Sequence, residues 1–303
     1  MKTTFLKFVI QSRWLVFLIA ISCQKEDAGK PASTSSQAQA EITAHDNSQM
    51  IAVAQDAMDA TGTALAGNGI SNGRYAANQR TADHGKDMEC APSISSTFSI
   101  NRNADSVVYS GTLTIDYGTG LFCKDSTEIR KGKLIDAFKL TIRLKDSLTY
   151  NLMESVTFQG YQKDSVKVDG VFTRKSTSDT LSALTIQNAK LTYADGTFVT
   201  WAGTLTNRYI REGLHERDQE SRQVTGSING MNRNGAAFSA SISKTILFNY
   251  SCSRDIPVSG TINLTVGSAS STIDYGAGTC DKEYTITSGG TTTTYTFKRH
   301  HQA

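Results

Sequence analysis

Five cysteines, two repeated aspartates and one serine set between glycines are the residues here whose types and spacing invite chemistry. Cys90, then Thr114-Ile115-Asp116-Tyr117-Gly118-Thr119-Gly120, then Cys123 is matched by Cys252, then Thr272-Ile273-Asp274-Tyr275-Gly276-Ala277-Gly278, then Cys280. Two copies of one seven-residue pattern, each between cysteines, mark an internal duplication. Four thiols can hold zinc, but these lack the close C-x2-C pairs of a zinc site, so no metal and no cofactor is expected. In an oxidising compartment they pair as disulfides. Four cysteines allow three pairings. Duplicated units carrying duplicated bridges select Cys90 with Cys123 and Cys252 with Cys280. Each bridge closes a loop of about thirty residues and stabilises by about 3.5 to 4 kcal/mol through chain entropy.

Asp116 and Asp274 sit beside Gly-rich turns, where a carboxylate either accepts backbone N–H bonds or ligates calcium. Neither copy contains a D-x-[DN]-x-[DN]-G run, so the turn-fixing role is expected. Gly69-Ile70-Ser71-Asn72-Gly73 matches the G-x-S-x-G nucleophile elbow in letters only. An elbow needs a strand before the serine and a helix after it, whereas this stretch lies in a Gly- and Asn-rich run. The histidines His45, His84, His215, His300 and His301 form no H-E-x-x-H pair, and no catalytic residue is expected. The charged run 208–222 reads as a solvated loop or strand edge; as a ligand site it would draw on Trp201 and Tyr209. Asp-Ser and Asp-Thr pairs at Asp105-Ser106, Asp125-Ser126, Asp146-Ser147, Asp164-Ser165 and Asp179-Thr180 read as turns entering strands. They also resemble the O-glycosylation acceptor pattern of Bacteroidota, and both readings place them on exposed turns.

Where these residues act is set by the N-terminus. Lys2, Lys7 and Arg13 precede Trp14-Leu15-Val16-Phe17-Leu18-Ile19-Ala20-Ile21-Ser22, an apolar run too short to span a bilayer, as in a cleaved export signal. Ala20-Ile21-Ser22-Cys23 resembles a bacterial lipobox, which implies that Cys23 is lipidated and becomes the new N-terminus. Each buried methylene is worth about 0.8 kcal/mol, so several acyl chains hold a protein on a membrane without a spanning helix. Gln24-Lys25-Glu26-Asp27 resembles the export tag of Bacteroidota surface lipoproteins. Losing Lys2, Lys7 and Arg13 takes 31 basic residues to 28, against 28 acidic ones. A neutral mature chain without a basic stripe argues against a nucleic-acid partner.

The elements follow from periodicity. We expect a signal peptide over 1–22, a lipid anchor and disordered tether over 23–45, and a short amphipathic helix over 46–61. A loop over 62–89, a β-domain with two related cysteine-bridged units over 90–299 and a C-terminal tail over 300–303 complete the chain. Apolar and polar residues alternate through the β-domain, as in Val107, Tyr109, Leu113 and Ile115 against Val108, Ser110, Thr112 and Thr114. Asp195-Gly196 and Asn234-Gly235 read as tight hairpin turns. The fold class expected is all-β, an antiparallel meander forming a sandwich or barrel-like domain.

The chain resembles a group of Bacteroidota lipoproteins with an acylated cysteine, a short helical segment and a long β-domain. The resemblance rests on Arg130-Lys131-Gly132-Lys133-Leu134, Val166-Lys167-Val168-Asp169-Gly170, Val224-Thr225-Gly226 and Asp274-Tyr275-Gly276-Ala277-Gly278-Thr279-Cys280. It implies an exported, lipid-anchored protein of the cell envelope, on the outer membrane and facing outward. The expected role is a non-enzymatic binding or structural module, with the membrane as one partner and an envelope glycan or protein as another. Alternatives are a surface glycan or small-ligand binder assisting nutrient uptake and, behind it, a hydrolytic enzyme. The resemblance carries no functional residues over to this chain.

Overall fold

Alanine, glutamine and methionine recur through 36–67, and small or straight side chains favour helix. They form α1 (Ser36–Gly67), 32 residues long. The computed structural model describes residues 36–70, 92–123, 128–144, 149–178, 180–211, 220–252 and 256–297. The helix thus begins inside the expected tether and ends inside the expected loop. Ala40, Thr43 and Ala44 are wholly buried, so these small side chains contribute by close approach, which a count of large apolar residues overlooks. Gly62 lies within the helix and does not stop it. The stop comes at Gly69, in a left-handed conformation, where its N–H bonds the Ala66 carbonyl and the Ile70 N–H bonds the Leu65 carbonyl. This is a Schellman cap, with Ile70 and Leu65 both buried beside it.

The helix is not amphipathic in the expected sense. Asp46, Asn47 and Ser48 are consecutive and all buried, although successive residues step about 100° round a helix axis. Protein surrounds this turn on most sides.

What surrounds it is one sheet. Its strands are β1 (Ser93–Arg102), β2 (Ser106–Asp116), β3 (Leu121–Cys123), β4 (Glu128–Arg143), β5 (Thr149–Lys163), β6 (Val166–Ser176) and β7 (Leu181–Thr192). They continue as β8 (Phe198–Arg211), β9 (Glu220–Met231), β10 (Ala237–Asn249), β11 (Ser259–Val266), β12 (Ala269–Ala277), β13 (Glu283–Ser288) and β14 (Thr291–Thr296). All fourteen join in a single antiparallel meander, so the expected all-β class holds, with one continuous sheet. The short β3 continues the track of β2 along β4, which leaves thirteen strands across the ladder. An odd number of antiparallel strands sets the first and last, β1 and β14, pointing the same way.

The alternation seen in the sequence sorts the two faces. Leu113, Asp136, Val156, Phe172 and Ile186 stand opposite one another across β2, β4, β5, β6 and β7, and all are buried. Register shifts interrupt neighbouring ladders at Gly132, at Gly160 and at Gly170, and such bulges bend a sheet. Gly132 is required there, because a Cβ on it would lie 2.3 Å from the Gly160 carbonyl oxygen. The bend carries the sheet around α1, which meets side chains from β4, β6, β9 and β12 to β14.

The hairpins at Asp195-Gly196 and Asn234-Gly235 share one geometry. In each, the glycine has positive φ and its N–H bonds the carbonyl three residues back, at Tyr193 and Asn232. They are three-residue turns closed by a left-handed glycine.

Candidate functional site

The duplication is visible as geometry. Asp116 Oδ1 accepts the Gly118 N–H at 2.8 Å, and Asp274 Oδ1 accepts the Gly276 N–H at 2.8 Å. Tyr117 and Tyr275, the next residues, turn inward and are buried. Each aspartate fixes its turn and aims a tyrosine at the core, the architectural role expected for them. Lys133 lies 2.8 Å from Asp116, and with the Gly118 amide it holds that carboxyl below its ordinary pKa. Cys252 is bonded to Cys280, with Cα atoms 5.4 Å apart. Cys123 is also disulfide-bonded, while Cys90, its expected partner, and Cys23 lie outside the described residues.

A second constellation joins α1 to the sheet. Asp56 meets Arg130 at 2.9 Å and Lys163 at 3.3 Å. The same two cations hold Glu128, at 2.5 Å and 3.1 Å. Asp59 faces Arg222 at 3.4 Å, and that guanidinium lies 4.2 Å from the Phe248 ring centre. Arg233 binds Asp46 through both Nε and Nη2 and covers the Tyr193 ring at 3.4 Å. Hydrogen bonds outside the ion pairs complete the set. Gln55 donates to Asn207 at 2.9 Å, Ser48 bonds Tyr275 at 2.8 Å, His45 bonds Tyr284 at 2.5 Å and Tyr295 donates to Glu41.

Beside these groups lies a buried acid pair. Glu154 receives two bonds from Arg174, at 2.5 and 2.6 Å, and Arg174 also donates to the Met58 carbonyl of α1 at 3.2 Å. Asp136 stands diagonally from Glu154 on the same face of β4 and β5. Its Oδ1 accepts the Ser155 N–H at 3.2 Å, while its Oδ2 has no partner. Burial first, then the Glu154 charge, push its carboxyl up to about 8 against the pull of Arg174. Two carboxyls and one guanidinium then carry no net charge at neutral pH, which a dry interior tolerates.

A pair of carboxyls with separated pKa values is the pattern of acid–base catalysis. A catalytic carboxyl must also meet its substrate. Asp136 and Glu154 are 0% and 1% exposed, and both lie under the helix that Arg174 holds in place. Their chemistry is spent on cohesion.

The residues singled out in the sequence fall elsewhere. Ser71 of the elbow-like stretch and His84, His215, His300 and His301 lie outside the described residues, whereas His45 is exposed on α1. Trp201 and Tyr209 are buried, so neither is a platform for a ligand, a correction to the ligand-site alternative. Within the run 208–222, Arg222 departs from the solvated reading, being fully buried against Asp59, while 212–219 lie outside the described residues. Asp105-Ser106 and Asp164-Ser165 do sit between strands, at turns closed by Asn103 and by positive φ at Asp164. Among the described residues no cluster of His, Cys, Asp and Glu has the makings of a metal site, and no helix is long and apolar enough to cross a membrane.

Asp46, Asp56, Asp59, Glu154 and Arg174 are the groups that sequence reasoning passed over. Their signal was faint: acids inside an alanine-rich helix, and charges on the buried parity of strands. No family model, curated protein or solved structure matches the chain.

Proposed function

We propose that this protein is an exported lipoprotein, held on the outer membrane through Cys23 and facing outward, whose folded domain is a non-enzymatic binding or structural module. The address rests on the lipobox-like Ala20-Ile21-Ser22-Cys23 and the apolar run before it. One observation above all supports the non-enzymatic role. The carboxylates Asp46, Asp56, Asp59 and Glu154 are each engaged by an arginine, and three of them tie α1 to the sheet. The curl of the sheet is occupied by its own helix.

Two measurements test the two halves separately. Cys23→Ala should move the protein from the membrane fraction to the soluble one, and unchanged membrane retention would overturn the anchor. A hydrolase and glycosidase panel on the purified protein should show no turnover that Ser71→Ala, or Asp116→Asn with folding intact, abolishes. Turnover lost in either variant would make the protein an enzyme.

A further inference from the structure

Phe98 and Ile100 share the inward parity of β1 with Ile94, which packs on the core, and Ser96, which bonds Asn68 at the end of α1. They are nevertheless 42% and 55% exposed. Beyond them β1 has a free edge: among the described residues it pairs with β2 alone. That pairing runs through ten positions with no bulge, so the outer edge is long and straight.

Natural sheets block such edges with lysine, proline, bulges or short strands. From Ser93 to Asn101 β1 has no charge and no proline, and Arg102 is its single charge. The opposite edge, β14, spans only six residues, which is itself a block. Because β1 and β14 point the same way, closing one on the other would demand a parallel pair, and the meander offers no antiparallel strand to fill the position. A two-fold axis through an edge strand supplies one, since it lays the strand antiparallel to its own copy.

We propose that β1 is a dimerisation edge, pairing antiparallel with β1 of a second copy of this chain about an axis at Phe98. In that register each Phe98 meets its counterpart, Ile100 meets Ser96, Thr97 meets Ser99 and Arg102 meets Ile94. No charge faces a like charge, and the two exposed apolar patches merge across the axis. The ladder then runs unbroken through both molecules.

The full chain, extracted in mild detergent, should sediment as a monomer–dimer equilibrium over micromolar concentrations. Phe98→Lys sets two cations face to face on the axis and should raise the dissociation constant at least about tenfold with the circular dichroism unchanged. In membranes under mild oxidant, Phe98→Cys should cross-link to twice the monomer mass faster than Met153→Cys, an exposed site on β5. A monomer at every concentration, equal cross-linking at the two sites, or dimerisation indifferent to Phe98→Lys would each overturn the proposal.

Discussion

Asp136→Asn isolates the electrostatics of the acid pair under α1. The Asp136 carboxyl is pushed up to about 8 by burial first and Glu154 second, against an ordinary value of 3.8. Between about pH 4 and about pH 8 the folded protein therefore holds a proton that the unfolded chain has released. Stability falls as pH rises through that window, since there the unfolded state binds fewer protons. At 1.36 kcal/mol per unit, the roughly three units from 3.8 to pH 7 cost the wild type about 4 kcal/mol. Relaxation and water penetration around the pair make this an upper figure. Asparagine has the same shape, does not titrate, and keeps an oxygen for the Ser155 amide. The variant should match the wild type near pH 4 and exceed it by about 2 to 4 kcal/mol at pH 8. Urea unfolding at pH 5 and pH 8, followed by far-UV circular dichroism with disulfides intact, measures both gaps. A gap of the same size at the two pH values would refute the reasoning.

Gly132→Ala should abolish folding or lower the melting temperature by about 10 °C or more, since its Cβ meets the Gly160 backbone at 2.3 Å. Gly160→Ala, with open space around the new Cβ but a positive φ, should cost only about 1 kcal/mol by the same melting measurement. Non-reducing peptide mapping should join Cys90 to Cys123, and losing Cys252–Cys280, which closes a loop of 28 residues, should lower stability by about 3.5 kcal/mol in urea.

The meander was legible because its strands alternate and its turns carry Gly, Asn and Asp at the required places. The duplicated Thr-Ile-Asp-Tyr-Gly turn was legible for a similar reason: an Asx bond spans two residues and needs no distant partner. The helix ends were harder to read. Gly62 looks like a terminator, yet the true stop is the Asn68-Gly69 cap, whose hydrogen bonds reach back only five residues. Ala40, Thr43 and Ala44 look too small to anchor anything, and their value appears only when a sheet comes close. The interior charges were the least legible. Arg222 reads as one more member of a polar run, and only its partner on α1, Asp59, 163 residues away, gives it a buried role. Non-local partners leave no trace in local spacing.

The clamps on α1 also decide when this chain can finish folding. Arg174 reaches Met58 across 116 residues, Arg233 reaches Asp46 across 187, and Tyr295 reaches Glu41 across 254. Each requires the ends of a long loop to meet before any contact repays the lost entropy, so closure is slow. A chain delivered N-terminus first presents α1 before any strand exists to receive it, and the helix must wait for its last partner until β14 arrives. Hairpins form early and locally, but the interior seals only when the final strand is delivered. The interior therefore locks only once the whole length from α1 to β14 is present.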